Sequence, residues 1–221
     1  MKSSLLLLLA VIIWGFGFIA TRWTFILFSG DWSNFLRFLF ASIAVTPYLL
    51  WHYKKWRKNE IILSALGAFF LFLVMHFQTI GLELTTVSKS GFITTLYVLI
   101  TPILAYIIDK KKVGALFWGV VLFSLVGLAL LVNLEWDNFN RGDFHTLCCA
   151  LFGGTHIYYI GKIEKKIHSI MVFSFWQIIF STLYIFLFVI LFSKTSEFHL
   201  VPKMIHYPLV MAGFFCVSIL S

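Results

Sequence analysis

The sequence predicts an all-α polytopic membrane protein, a bundle of about seven to eight transmembrane helices. Three observations carry that expectation. Hydrophobic residues make up 61% of the 221 residues and charged residues only 12%, with a mean hydropathy of +0.96. A soluble domain holds about 45–50% apolar and about 25% charged residues, so water would meet too little polar surface here. Apolar runs of roughly 20 residues, the length that crosses hydrocarbon as a helix, recur along the chain. The basic residues gather in alternate loops, as they do when a chain crosses a membrane repeatedly.

The runs fall near residues 5–27, 33–51, 62–82, 91–108, 114–133, 144–161 and 170–192, and an eighth starts near 206. Helices are required because an unpaired backbone group in lipid is costly, and the alternating pattern of a membrane barrel is absent. The first run follows Lys2 as a signal peptide would, but it continues past Trp14 with no small-residue cleavage site. It reads as a first transmembrane helix. Cys148, Cys149 and Cys216 lie inside runs, without metal-ligand spacing or a disulfide framework. No cofactor and no metal site is expected.

Charge sets the orientation. With the N-terminus inside, the inner segments hold 11 of the 17 basic residues, among them Lys54, Lys55, Lys110, Lys111, Lys112, Lys165 and Lys166. Six of the nine acidic residues, including Asp31, Glu83, Asp143 and Glu197, fall outside. This positive-inside pattern predicts a cytoplasmic N-terminus in an inner (cell) membrane. The basic clusters are short and tied to helix ends, which suits anionic headgroups of the lipid bilayer better than nucleic acid.

A repeat is visible. The longest hydrophilic stretch, LEWDNFNRGD at 134–143, follows the fifth run. After it, Phe152, Gly153 and Gly154 resemble Trp14, Gly15, Phe16 and Gly17, and FSFWQIIFS with Gln177 resembles SNFLRFLFA with Arg37. Gly15 to Arg37 is 22 residues and Gly153 to Gln177 is 24. An odd number of spans per unit inverts the second copy, a plan common among secondary transporters. The second unit holds about three spans against five, so the sequence reads as truncated.

Four segments stand out: WGFGF at 14–18 with Arg22, FLRFLFA at 35–41, GLELTTVSKSGFITTLYVLITPILA at 81–105 and GVVLFSLVGLALL at 119–131. In these the chain resembles the EamA family of the drug/metabolite transporter superfamily. The resemblance implies a ten-helix (5+5) inverted-repeat transporter fold, with a first five-helix repeat at 1–133 and an incomplete second repeat at 142–221. Asp109 with Lys110, Lys111 and Lys112 stands where the family usually has a Glu-Arg type pair.

Ionisable or polar groups within spans are candidate substrate-binding residues. Arg37 lies about one turn into the second span. It could attract an anion, pair with Glu83 or snorkel to headgroups. His76 and Gln78 point about 200° apart on the third helix, so one alone can face a given cavity. Ser90, Thr94, Tyr97 and Thr101 form one polar stripe, and Pro102 frees the carbonyl of Val98, predicting a kink. Trp14 is too deep for the interfacial belt and is a stacking wall or core. His156 and Gln177 occupy the first two helices of the second unit. Ala115 and Gly119 give a small-xxx-small face for close helix packing.

No nucleophile elbow, zinc-helix pair, P-loop or dinucleotide loop occurs, so an enzyme is not expected. The sequence points to a secondary transporter, a permease or exporter of small metabolites such as amino acids or drugs. The alternative is a non-transporting truncated membrane subunit or remnant. Expected partners are the bilayer and a small-molecule substrate, and pairing of two copies as a homodimer stays open.

Overall fold

A computed structural model describes residues 2–131, 139–193 and 195–220. The repeat boundary expected at 134–143 falls largely outside them. The described residues hold nine α-helices and no strand: α1 Lys2–Thr24, α2 Gly30–Trp51, α3 Lys58–Leu84, α4 Val87–Thr95, α5 Tyr97–Asp109, α6 Ala115–Leu131, α7 Arg141–Ile163, α8 Ile170–Phe192 and α9 Pro208–Leu220. Each expected run coincides with a helix over most of its described residues. The fourth is divided into α4 and α5 at Leu96.

Among the described residues, four helical segments are long and apolar enough to cross a membrane: α2, α3, α4 with α5, and α8. A fifth counts if the bent pair His199–His206 and Pro208–Ser218, which meet at 104°, is one span. Of the seven to eight expected spans, four or five meet that test among the described residues. α1 and α7 match the others in length at 23 residues, and α6 is shorter at 17. Large apolar side chains cover the outside, to the extent that Leu116 and Phe123 are each 82% exposed. That surface suits acyl chains and not water.

α3 lies at the centre and touches α2, α4, α7 and α8. α1 packs on α9, α2 packs on α8 and α9, and α7 also carries α4 and α5. The core is aromatic, built from Phe28, Trp32, Phe35, Phe38, Phe72 and Phe214 with Met75, Ile185 and Val189. Small residues set the closest approaches. A Cβ on Gly81 of α3 would stand 2.3 Å from Thr146 Oγ1 of α7, and one on Gly213 of α9 would stand 2.6 Å from the Ala20 carbonyl of α1. The expected small-residue face on α6 is not used in this way, since a Cβ on Gly119 meets nothing within 4 Å.

Helix ends explain several polar residues. A helix start leaves backbone N–H groups without intrahelical partners. At α2 the Ser29 N–H donates to Glu197 Oε2 (2.8 Å) and the Gly30 N–H to Glu83 Oε2 (3.2 Å). Arg22 covers the opposite problem at the end of α3, donating to the carbonyls of Leu82, Glu83 and Thr85. α7 begins with a capping box between Asn140 and Asp143, which satisfies two donors reciprocally.

Candidate functional site

The break between α4 and α5 positions the central candidates. It falls at Leu96, where the amide bonds three residues back to Ile93. The sequence placed the kink nearer Val98, one turn before Pro102. The helix has instead yielded two residues earlier, and Leu96 keeps a helical conformation with φ −61° and ψ −13°. On either side of this break lies a cavity. One, of about 360 Å³, sits between α1, α4 and α6 and is lined by Val11, Trp14, Phe18, Gly91, Thr94 and Tyr97 among others. The other, of about 620 Å³, runs along α5 and is lined by Tyr97, Thr101, Pro102, Phe117 and Ile157 with Lys111 and Lys112. Tyr97 lines both.

The Trp14 and Tyr97 rings stack at 5.9 Å between centroids. A face-to-face aromatic pair of this kind offers a flat π surface to a ligand, and either ring can move by rotamer change. The sequence therefore placed Trp14 deep in α1 without showing its partner, which comes from 83 residues further along the chain.

The expected polar stripe holds together on one face. Ser90, Thr94 and Thr101 meet α7: Ser90 Oγ lies 3.5 Å from Thr146 Oγ1, Thr94 faces the Cys149 thiol, and Thr101 Oγ1 donates to the Gly154 carbonyl at 3.2 Å. Tyr97 also borders α7, since a Cβ on Gly153 would stand 3.7 Å from its Cβ, while its ring stacks on Trp14. Gly154 makes the contact close, since a Cβ there would stand 2.6 Å from Ile100.

A second group lies between α2 and α3. Arg37 is 6% exposed, so it does not snorkel, and it does not pair with Glu83. Its Nη2 donates to Met75 Sδ (2.7 Å) and its guanidinium sits 5.2 Å from the Phe38 ring centroid. Among the described residues it makes no ion pair. Asn34 beside it donates to the Met75 carbonyl at 2.9 Å, and the Arg37 Nε, Ser33 Oγ, Asn34 Oδ1 and Thr79 Oγ1 are buried without a hydrogen-bond partner. Buried polar atoms are nearly always bonded, so this is the most strained polar region described.

His76 and Gln78 diverge, as their 200° separation requires. His76 Nδ1 lies 3.1 Å from Asp31 Oδ1, and Ser193 Oγ donates to Asp31 Oδ2 at 2.9 Å. Gln78 is buried, with its amide nitrogen unpartnered. In the second unit, Gln177 Nε2 lies 3.3 Å from His156 Nε2. Gly67 of α3 makes room for this pair, since a Cβ there would stand 2.1 Å from Gln177 Nε2. Trp14, Thr94, Tyr97 and Thr101 thus come together around the break. Arg37, the His76–Gln78 region and the His156–Gln177 pair stand apart from it.

Sequence reasoning missed one polar network. Asp143, read as an outer loop acid, is 0% exposed. It pairs with Lys89 Nζ at 2.7 Å, accepts from Thr85 Oγ1 at 2.7 Å and from the Asn140 N–H at 2.9 Å. The signal was present in the Asn140–Asp143 spacing of a capping box.

A helical bundle with an apolar outer surface and several helices long and apolar enough to cross a bilayer is that of a multi-pass membrane protein. The EamA-like transporter family model matches residues 1–133, more than half of the chain, and the chain belongs to that family. A relative from Archaeoglobus fulgidus, described as an uncharacterized transporter, is 33% identical over 181 residues, 79% of this chain and 54% of the relative. The chain spans about half the length of that relative. A protein of known crystal structure shares the fold with a TM-score of 0.60 over 96% of this chain and 76% of its own, at 16% identity.

Proposed function

We propose that the chain is a secondary transporter, a permease or exporter that moves small metabolites such as amino acids or drugs across the inner membrane by alternating access, with its N-terminus in the cytoplasm. One observation carries this reading: Tyr97, stacked on Trp14 at the helix break, lines the cavity along α4 and the cavity along α5. A ring that separates two cavities is a gate when it moves. Thr94 and Thr101 supply hydroxyls on either side of it.

Part of the helix packing is consistent with a repeat. Exchanging α1 with α7, α2 with α8 and α3 with α9 maps the α1–α9 contact onto α7–α3 and α2–α9 onto α8–α3, whereas the α2–α3 contact has no comparable α8–α9 counterpart among the described residues. Two units related in this way rock against each other in alternating access. Gln177 and His156 then occupy in the second unit the helices that carry Arg37 and Trp14 in the first.

The test is counterflow in vesicles. The purified chain is reconstituted, loaded with a panel of unlabelled amino acids, and offered the same radiolabelled compounds outside. Uptake of at least one compound is expected, with Tyr97→Ala and Gln177→Ala reducing it to the empty-vesicle level at unchanged membrane abundance. Normal uptake in both variants contradicts the gate and cavity assignment. No uptake of any compound by well-folded wild-type chain favours the non-transporting subunit.

A further inference from the structure

The end of α5 has a feature that the gate does not require. Lys110 closes the helix in the left-handed conformation at φ 57°, and its N–H and that of Lys111 both turn back to the Ala105 carbonyl. This turn sends Lys111 and Lys112 out of the helix at the mouth of the 620 Å³ groove. Behind them the lining is mainly apolar, Val98, Pro102, Ala105, Phe117 and Ile157, with Tyr97 and Thr101 further in. Asp109 at this end of α5 pairs with Lys162 and also lies near Lys111, so one acidic charge stands against three lysines. On the same two helices Ile107, Ile108, Leu116 and Val120 are exposed, a surface that suits acyl chains.

We propose that this groove binds one anionic phospholipid, with its phosphate on Lys111 and Lys112 and one acyl chain laid along α5 against Pro102, Ala105 and Phe117. The charge complementarity is specific to this chemistry. A zwitterionic lipid fills the groove equally well but leaves the lysines without net compensation, and a soluble anion leaves the apolar floor empty. Juxtamembrane lysines at the basic end of a membrane protein draw anionic headgroups, and Lys165 and Lys166 place further positive charge in a neighbouring loop. The site does not rest on the transport reading, because lipid binding is read without any substrate.

Native mass spectrometry of the full chain, released from micelles holding equimolar phosphatidylglycerol and phosphatidylcholine with identical acyl chains, tests it. Phosphatidylglycerol adducts are expected to exceed phosphatidylcholine adducts about tenfold. The double variant Lys111→Gln with Lys112→Gln is expected to bring the two lipids level, whereas Lys54→Gln with Lys55→Gln leaves the preference in place. These lysines lie on exposed turns, so folding is not at stake. A preference kept by the first variant, or lost equally by the second, overturns the site. Displacement of the lipid by soluble glycerol phosphate at equal concentration would mark a free-anion site and overturn the acyl-chain claim. Cross-linking of Val113→Cys between two chains would make the groove a dimer face, and it also overturns the proposal.

Discussion

The two ends of α7 are fastened in different ways. At its start, Asp143 is fully buried and both its oxygens are engaged, by Lys89 and Asn140 on Oδ2 and by Thr85 on Oδ1. At its end, Lys162 reaches Asp109 from a side chain that is half exposed. The glycines follow the same division. A Cβ on Gly142 would lie 2.8 Å from Leu84 and 2.9 Å from the Gly81 carbonyl, whereas one on Gly161 meets nothing within 4 Å. One end of α7 is therefore a fixed joint with α3 and α4, and the other is loosely tied to α5.

The largest effect is expected at the fixed joint. Asp143→Ala leaves the Lys89 ammonium without its buried counter-charge and should lower unfolding stability by about 3 kcal/mol, read as a fall in the thermal midpoint in detergent. Asp143→Asn keeps an acceptor for Thr85 and should lose less. A midpoint unchanged in both variants would dissolve the contrast between the two ends. Next in size, Gly142→Ala forces the α3 and α7 backbones apart, an overpacking that costs about 1–3 kcal/mol. Gly161→Ala gains up to about 1 kcal/mol of helix propensity without a clash. Equal effects of these two alanines would mean that both ends are equally close-packed. The smallest effect is expected from Lys162→Gln. Its exposed pair is screened by salt, so any change in midpoint should vanish between low salt and 0.5 M sodium chloride, as differential scanning fluorimetry would show.

Much of this was legible in the sequence, for physical reasons. Apolar runs in lipid must be helical, so residues 33–51, 62–82 and 170–192 gave α2, α3 and α8 within a few residues. The TTVSKSGFITT segment named the family and supplied the cavity wall. What the sequence could not show was pairing across distance. Trp14 stacks on Tyr97, Arg37 lies on Met75, and Asp143 reaches Lys89, and no periodicity encodes those meetings. The stripe of Ser90, Thr94, Tyr97 and Thr101 was legible from the 3.6-residue period, and all four residues meet α7. Four or five of the seven to eight expected spans meet the length and composition of a span among the described residues, and the expected run at 114–133 ends outside them.

The most direct test of the central claim measures access to the two cavities. Gly91→Cys marks the cavity along α4 and Thr101→Cys the cavity along α5, each in a chain whose three native cysteines are alanine. A membrane-impermeant maleimide is applied to oriented vesicles from one side and then from the other. With Tyr97 intact, each cysteine should label from one side only, and the two sides should differ. With Tyr97→Ala, both should label from both sides. Labelling of the two cysteines from the same side with Tyr97 in place would contradict a gate at the Trp14–Tyr97 stack.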